Sequence, residues 1–161
     1  LPNVNQYDDD RDFNKSRIKG AVESLFETDG AVEAAFVSDV VNAVDSLYRT
    51  LPDKEHRAIA GLSIGAMQAM HISANSPDMF DYVGLFSAMV HPVLRKSNYS
   101  AFYKDFNDKL ETQFATPPML YTIMIGNTYF YYPRMKRYAR HLKREGYPHE
   151  LVVVSGAQVV E

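Results

Sequence analysis

A chain of 161 residues, 46% hydrophobic and 23% charged, is sized for one globular domain, residues 1–161, with a real core. Its formal net charge of -3 and pI near 6.0 offer no broad attraction to phosphate, which argues against a nucleic-acid partner and against an anionic membrane surface. Without cysteine there is no disulfide, thiolate metal site or cysteine nucleophile, and the compartment stays open, since this composition fits cytosol and periplasm alike.

No run approaches the ~18 apolar residues of a membrane helix, and no basic segment followed by an apolar one opens the chain as a leader would. The first residue is Leu1, and an opening Leu1-Pro2-Asn3 with no element of its own reads as a processed or partial chain. Residues 1–30 are polar and loop-like, with a short helix expected around Ala21–Phe26; the Asp8-Asp9-Asp10 run reads as a solvated turn, because three adjacent carboxylates cannot converge on a metal alone. From Ala31 to Tyr48 the pattern becomes helical. Val32, Ala35, Phe36, Val40, Ala43, Val44 and Leu47 recur at spacings of three and four, which predicts one buried face, and Leu51-Pro52-Asp53 ends it. His56–Gly61 reads as a short strand, Gly65–Ala74 as a helix stopped by Asn75-Ser76-Pro77. Strands are then predicted at Tyr82–Met89, Met119–Ile125 and Leu151–Val154, each apolar enough to be fully covered, with helices at Tyr99–Phe114 and Arg134–Glu145 between them. Strands separated by helices predict an α/β fold with a mostly parallel sheet flanked by helices and right-handed crossovers.

One motif carries chemistry. Gly61-Leu62-Ser63-Ile64-Gly65 has the form G-x-S-x-G and falls at the predicted strand-to-helix junction. Such a turn lifts a serine hydroxyl above the C-terminal edge of a sheet, and small residues two before and two after it let strand and helix pass closely. Ser63 is the candidate nucleophile in a strained conformation; a glycine-rich turn with an incidental serine is the alternative.

Tyr48-Arg49-Thr50, the run from Asp53 to Gly65, and the run from Asn75 to Ser87 together resemble α/β-hydrolase esterases of the feruloyl esterase, acetyl xylan esterase and esterase D group. A weaker likeness continues through Gly146-Tyr147-Pro148-His149-Glu150. The resemblance implies an α/β-hydrolase-like fold, incomplete in this chain, with acyl transfer from a small-molecule or polysaccharide ester to Ser63 and then to water, the Ile64 N–H holding the oxyanion, and no cofactor. It places the opening Leu1-Pro2-Asn3 at the end of the strand before the long helix, so the oxyanion loop of the family belongs before this chain begins. It also implies a carboxylate and a histidine following the serine in that order. Where the acid belongs, the chain reads Gly126-Asn127-Thr128-Tyr129-Phe130, with Tyr129 in its place and no carboxylate between Glu111 and Glu145. Where the histidine belongs it reads Gly156-Ala157-Gln158. A catalytically silent family member, kept for carbohydrate binding or assembly, is therefore the rival expectation.

Each histidine is weighed as a replacement base. His56 belongs to the far end of the elbow strand, His71 lies about two turns along the helix after Ser63, His141 falls on a basic helix face, and His149 enters the last strand from below. His91 follows the strand 82–89 and emerges on the same sheet edge as Ser63, which makes it the candidate surrogate base. The cluster Tyr129, Phe130, Tyr131 and Tyr132 reads as loop packing before it reads as a sugar-stacking platform. The series Arg134, Lys136, Arg137, Arg140, Lys143 and Arg144 reads as a solvated helix face. With about four strands where such sheets have about eight, the elbow strand is expected to leave an uncovered edge, filled either in a homo-oligomer or by the remainder of a longer chain. The polysaccharide-esterase resemblance implies a periplasmic or secreted location; without it, a cytoplasmic one.

Overall fold

A computed structural model describes residues 30–89 and 101–157. The described part opens on a helical rod: α1 (Ala31–Ala35), a π-helical stretch (Phe36–Val41) and α2 (Asn42–Leu47). The rod corrects the expected buried stripe. Phe36, Val37 and Val41 pack against the body, whereas Val40, Val44 and Leu47 are exposed, because the wider π turn moves the inward phase on by about one residue. The alternating units follow as β1 (Ala58–Leu62), α3 (Ile64–Asn75), β2 (Tyr82–Phe86), α4 (Phe106–Ala115), β3 (Leu120–Gly126), α5 (Tyr132–Arg144) and β4 (Glu150–Val154). The expected short helix at 21–26 and the Asp8-Asp9-Asp10 turn lie outside the described residues.

All three strand pairings are parallel, in the order β1-β2-β3-β4. β1 starts later than the sequence suggests. His56 belongs to a 3-10 turn, Lys54–His56, capped by Asp53, whose carboxylate meets His56 Nδ1 at 2.5 Å and is held below its usual pKa by that hydrogen bond. At the other end β2 stops at Phe86, because Ser87 takes φ 46°, which no strand residue can adopt.

One sheet face carries the core. Ile59, Val83, Leu85, Tyr121, Ile123 and Ile125 are buried on it beneath α3, α4 and α5, which contribute Met70, Leu110, Phe114, Met135, Tyr138 and Leu142. Two tyrosines meet inside, Tyr121 and Tyr138 sharing a hydroxyl-to-hydroxyl hydrogen bond of 2.8 Å, and burial raises both pKa values. On the opposite face Ala58, Ala60, Leu62, Leu120 and Glu150 are exposed, and Phe86, Met124 and Val152 are half-buried. Even on the packed side Leu151 and Val153 are exposed, so the expectation of full cover fails for β4, which with β1 stands at the edges of the described sheet.

His71 lies buried between α3 and α4, its ring 4.8 Å from that of Tyr103 and 4.6 Å from that of Phe106, and its Nδ1 has no hydrogen-bond partner among the described residues. Burial first, and the Lys109 ammonium second, pull its pKa down to about 3, so the imidazole is neutral in the fold. The unfolded chain binds this proton near pH 6.5 and the native chain only near 3. The stability that His71 contributes is therefore complete above about pH 6.5 and is lost as pH falls toward 3, with a slope of at most about 1.4 kcal/mol per pH unit. Denaturant titrations at pH 7 and pH 5 are expected to show this drop, and His71→Phe to flatten it.

Candidate active site

Ser63 stands between the last residue of β1 and the first of α3, at the C-terminal edge of the sheet, with φ 56° and ψ -113°. For a residue with a Cβ this conformation is costly, on the order of 1–3 kcal/mol, and it persists only where the surroundings over-determine it. They do so here through the backbone. Ser63 N–H donates to the carbonyl of Phe86 at 2.9 Å, and the Ser63 carbonyl accepts from Met67 N–H at 3.2 Å and Met89 N–H at 3.4 Å. The turn is thus held by the next strand and by the first turn of α3 together.

Gly61 is required by the same geometry. A Cβ there would lie 2.1 Å from the carbonyl oxygen of Gly65 and 2.6 Å from the nitrogen of Ala66, which no side chain can occupy. Gly65 corrects the expectation that both glycines are needed for passage. A Cβ at Gly65 meets nothing within 4 Å and its φ is not positive, so only the first glycine of the motif is sterically fixed.

The Ser63 hydroxyl donates to the Met89 sulfur at 3.1 Å, a weak acceptor that takes no proton. Ile64 is the first helical residue of α3, where the N–H groups lack intrahelical acceptors and the helix dipole is positive. Among the described residues neither a carboxylate nor an imidazole hydrogen-bonds the Ser63 hydroxyl. His56 sits before β1, at the opposite end of that strand. His71 is enclosed by aromatic rings. His141 approaches Glu145 at 3.6 Å on α5, and His149 Nδ1 lies 2.8 Å from the carbonyl of Tyr147 ahead of β4. His91, the candidate surrogate base, lies outside the described residues.

Two loops at the C-terminal ends of β3 and β4 are tied together beside this edge. Asn127 N–H donates to the Val154 carbonyl at 2.9 Å, Thr128 N–H to the Gly156 carbonyl at 3.1 Å, and Gly156 N–H to the Asn127 side-chain oxygen at 3.3 Å. The approach is close enough that a Cβ on Gly126 would lie 2.3 Å from the Gly156 oxygen and 2.4 Å from that of Ala157. These are the loops in which the sequence resemblance puts the acid and the base. Tyr129 occupies the first, buried, with its ring 5.0 Å from that of Phe130 and 5.9 Å from that of Tyr131. Tyr131 is buried too and Phe130 is exposed, so the aromatic cluster is mainly loop packing. Gln158 lies outside the described residues.

Sequence reasoning missed Met89 as the acceptor of the Ser63 hydroxyl and Asn127 as the tie between the loops. Nothing in a methionine at the end of an apolar run signals the first. The second had a signal, since Gly126 ends β3 and Gly156 lies two residues past the end of β4, and glycines at the ends of adjacent strands mark close backbone approach.

The Esterase family model matches residues 2–151 of the chain. A bifunctional endo-1,4-beta-xylanase/feruloyl esterase of Xylanibacter ruminicola is 38% identical over 55 residues, which are 34% of this chain and 8% of that protein. Among solved structures, a ferulic acid esterase of Anaeromyces mucronatus superposes with a TM-score of 0.66 at 21% identity, covering 98% of this chain and 56% of that one. The S-formylglutathione hydrolase of Staphylococcus aureus does so with a TM-score of 0.65 at 19% identity, covering 86% and 57%. The chain spans little more than half the length of either structure, and the four-stranded parallel sheet of its described residues is part of the α/β-hydrolase fold they share. By the match over residues 2–151 and the fold that carries them, the chain belongs to this esterase family.

Proposed function

We propose that Ser63 is the acyl-accepting nucleophile of a carboxylic ester hydrolase-like domain, whose ester is phenolic or carbohydrate-linked. The conformation of Ser63 is the observation that carries this reading: φ 56° and ψ -113° on a serine between a parallel strand and a helix is backbone strain of the kind a nucleophile elbow stores, at the C-terminal edge of the sheet and next to the Ile64 N–H. The G-x-S-x-G turn is then a nucleophile elbow. Attack forms the bond from Ser63 Oγ to the acyl carbon as the hydroxyl proton passes to solvent water, the Ile64 N–H faces the developing oxyanion, the ester C–O bond breaks and the alcohol leaves protonated; water then cleaves the acyl–Ser63 ester to release the acid and restore the hydroxyl. The ester class comes from relatives, one of which holds ferulic acid in its structure.

What the described residues lack is a proton acceptor on the hydroxyl. Met89 occupies that direction, Tyr129 stands in the acid loop and Gln158 in the base loop. With neither partner, the chain retains only the residual rate that positioning and an oxyanion donor supply, several orders of magnitude below an intact triad. The second reading, a silent carbohydrate-binding or assembly module, is favoured by the burial of Tyr129, whose ring packs against Phe130 and Tyr131 at the position where the resemblance puts the buried acid of a triad.

Hydrolysis of 4-nitrophenyl acetate and of a feruloyl ester by the purified chain tests the reading. The expected result is trace turnover that Ser63→Ala lowers only slightly. Robust turnover abolished by that substitution would show that a base reaches Ser63 after all, and His91→Ala would then identify it.

A further inference from the structure

α5 carries six Lys or Arg and no acid in thirteen residues, while the other eleven basic residues of the chain are set against all twenty Asp and Glu. Its inner side is apolar: Met135, Tyr138, Ala139 and Leu142 are buried. On its outer side Arg137, Arg140, His141 and Arg144 recur at spacings of three and four, and with Asn107 at the start of α4 they wall an open cleft of about 810 Å³.

Ordinary helix electrostatics accounts for part of this charge. His141, Lys143 and Arg144 occupy the last turn, where the dipole favours cations, and Glu145 receives Arg144 Nε at 2.9 Å and lies 3.6 Å from His141 Nδ1. Arg137 and Arg140 lie further up, where like charges three and four residues apart destabilise a helix. Arg140 reaches only the Lys136 carbonyl, at 3.4 Å, and Arg137 has no hydrogen bond or ion pair among the described residues. The cleft therefore holds two guanidinium groups, those of Arg137 and Arg140, at a cost to the helix and without an acidic partner among the described residues.

We propose that this cleft binds a polyuronate, a polysaccharide with carboxylates along its length. Guanidinium forks match carboxylates in two-point hydrogen bonds. At 1.5 Å per residue, Arg137 and Arg144 are about 10 Å apart along the helix, enough to hold carboxylates on different sugars of one chain. The Asn107 amide can both donate to and accept from sugar hydroxyls. The net charge of -3 repels duplex nucleic acid, with a charge about every 1.7 Å of its axis, more strongly than a polyuronate, whose single carboxylate per sugar is more widely spaced. The choice of a polysaccharide as the carboxylate carrier rests on the proposed function; the convergence of cations does not.

Affinity electrophoresis of the chain at low salt, in native gels cast with polygalacturonate, tests this directly. The chain is expected to be retarded, salt to weaken the retardation, and Arg137→Ala/Arg140→Ala to lose at least about tenfold in affinity with an unchanged melting temperature, both side chains being exposed. Ser63→Ala is expected to be retarded like the unsubstituted chain, which separates this site from the hydrolytic reading. No retardation, equal retardation of the double variant, equal retardation by neutral arabinoxylan or by duplex DNA, or full displacement by inorganic phosphate at the concentration of galacturonate units would each overturn the proposal.

Discussion

Tyr129→Asp combined with Gln158→His is expected to raise the turnover of 4-nitrophenyl acetate by at least about 100-fold over the unsubstituted chain, and Ser63→Ala in that background to abolish the gain. The factor is modest beside the roughly million-fold value of a complete triad, because the new groups arrive without the surrounding contacts that orient them. The geometry supports the pair of positions. Backbone hydrogen bonds from Asn127 and Thr128 to Val154 and Gly156 hold the two loops against one another, and Gln158 follows Ala157 by one residue. The resemblance puts an aspartate at 129 and a histidine at 158, the pair in which the acid fixes the imidazole tautomer and leaves its other nitrogen for the serine proton. Both substitutions are required, and each alone is expected to give little, since members of a triad act as a unit. Removing a buried tyrosine from its contacts with Phe130 and Tyr131 costs about 3 kcal/mol, so the rates belong at a temperature where circular dichroism shows the variant folded. Steady-state kinetics on the five proteins, the unsubstituted chain, the two single variants, the double variant and its Ser63→Ala derivative, gives the answer.

Gly61→Ala is expected to be the most damaging single methyl addition in the described residues. A Cβ 2.1 Å from the Gly65 carbonyl oxygen has no rotamer to relieve it, and both partners are backbone, so β1 and α3 must separate and the Phe86 hydrogen bond to Ser63 is lost with them. The cost is about 3 kcal/mol or more, at the upper end of overpacking, enough to unfold a marginal domain. Gly65→Ala serves as the control. With open space around its Cβ and a helical position, it is expected to be neutral or to stabilise by up to about 1 kcal/mol through the unfolded state. Thermal melts of the two variants are expected to diverge sharply despite the identical change in composition.

The alternation of strands and helices was legible because each strand is a short apolar run between turn residues and each later helix has a stop signal, such as Asn75-Ser76-Pro77 after α3. The strained turn at Ser63 was legible too, since glycines two residues before and after it stand at the junction of such a run and a helix. The rod before β1 was misread. Its apolar residues fit a 3.6-residue period, and only the packing of Phe36, Val37 and Val41 reveals that a π turn shifts the inward side. Exposure of Leu151, Val153 and Leu62 was also hidden in the sequence, because apolar composition records what a strand can be packed against and not whether the packing partner belongs to the same run of residues. At the site, substitutions in the two loops were visible as letters, but their adjacency came from the hydrogen bonds between Asn127, Thr128 and Gly156. Met89 against the Ser63 hydroxyl is a consequence of β2 ending at Ser87 with positive φ, a detail no periodicity encodes.

The open edge of β1 and the exposed residues of the face carrying Leu62 and Leu120 keep the expectation of self-association or of a longer parent polypeptide as a proposal, which light scattering across a concentration series addresses. The account turns on Ser63 as the acyl acceptor. Prolonged incubation of the folded chain with 4-nitrophenyl acetate, followed by peptide mass spectrometry, tests that claim most directly, because a serine without a base is acylated slowly and then also deacylates slowly, so that the acetyl group accumulates on it. The account predicts acetyl on the peptide containing Ser63, lost when the chain is unfolded in urea before the reagent is added. Acetyl groups confined to lysines and tyrosines, in the same pattern for the folded chain and for Ser63→Ala, would contradict it.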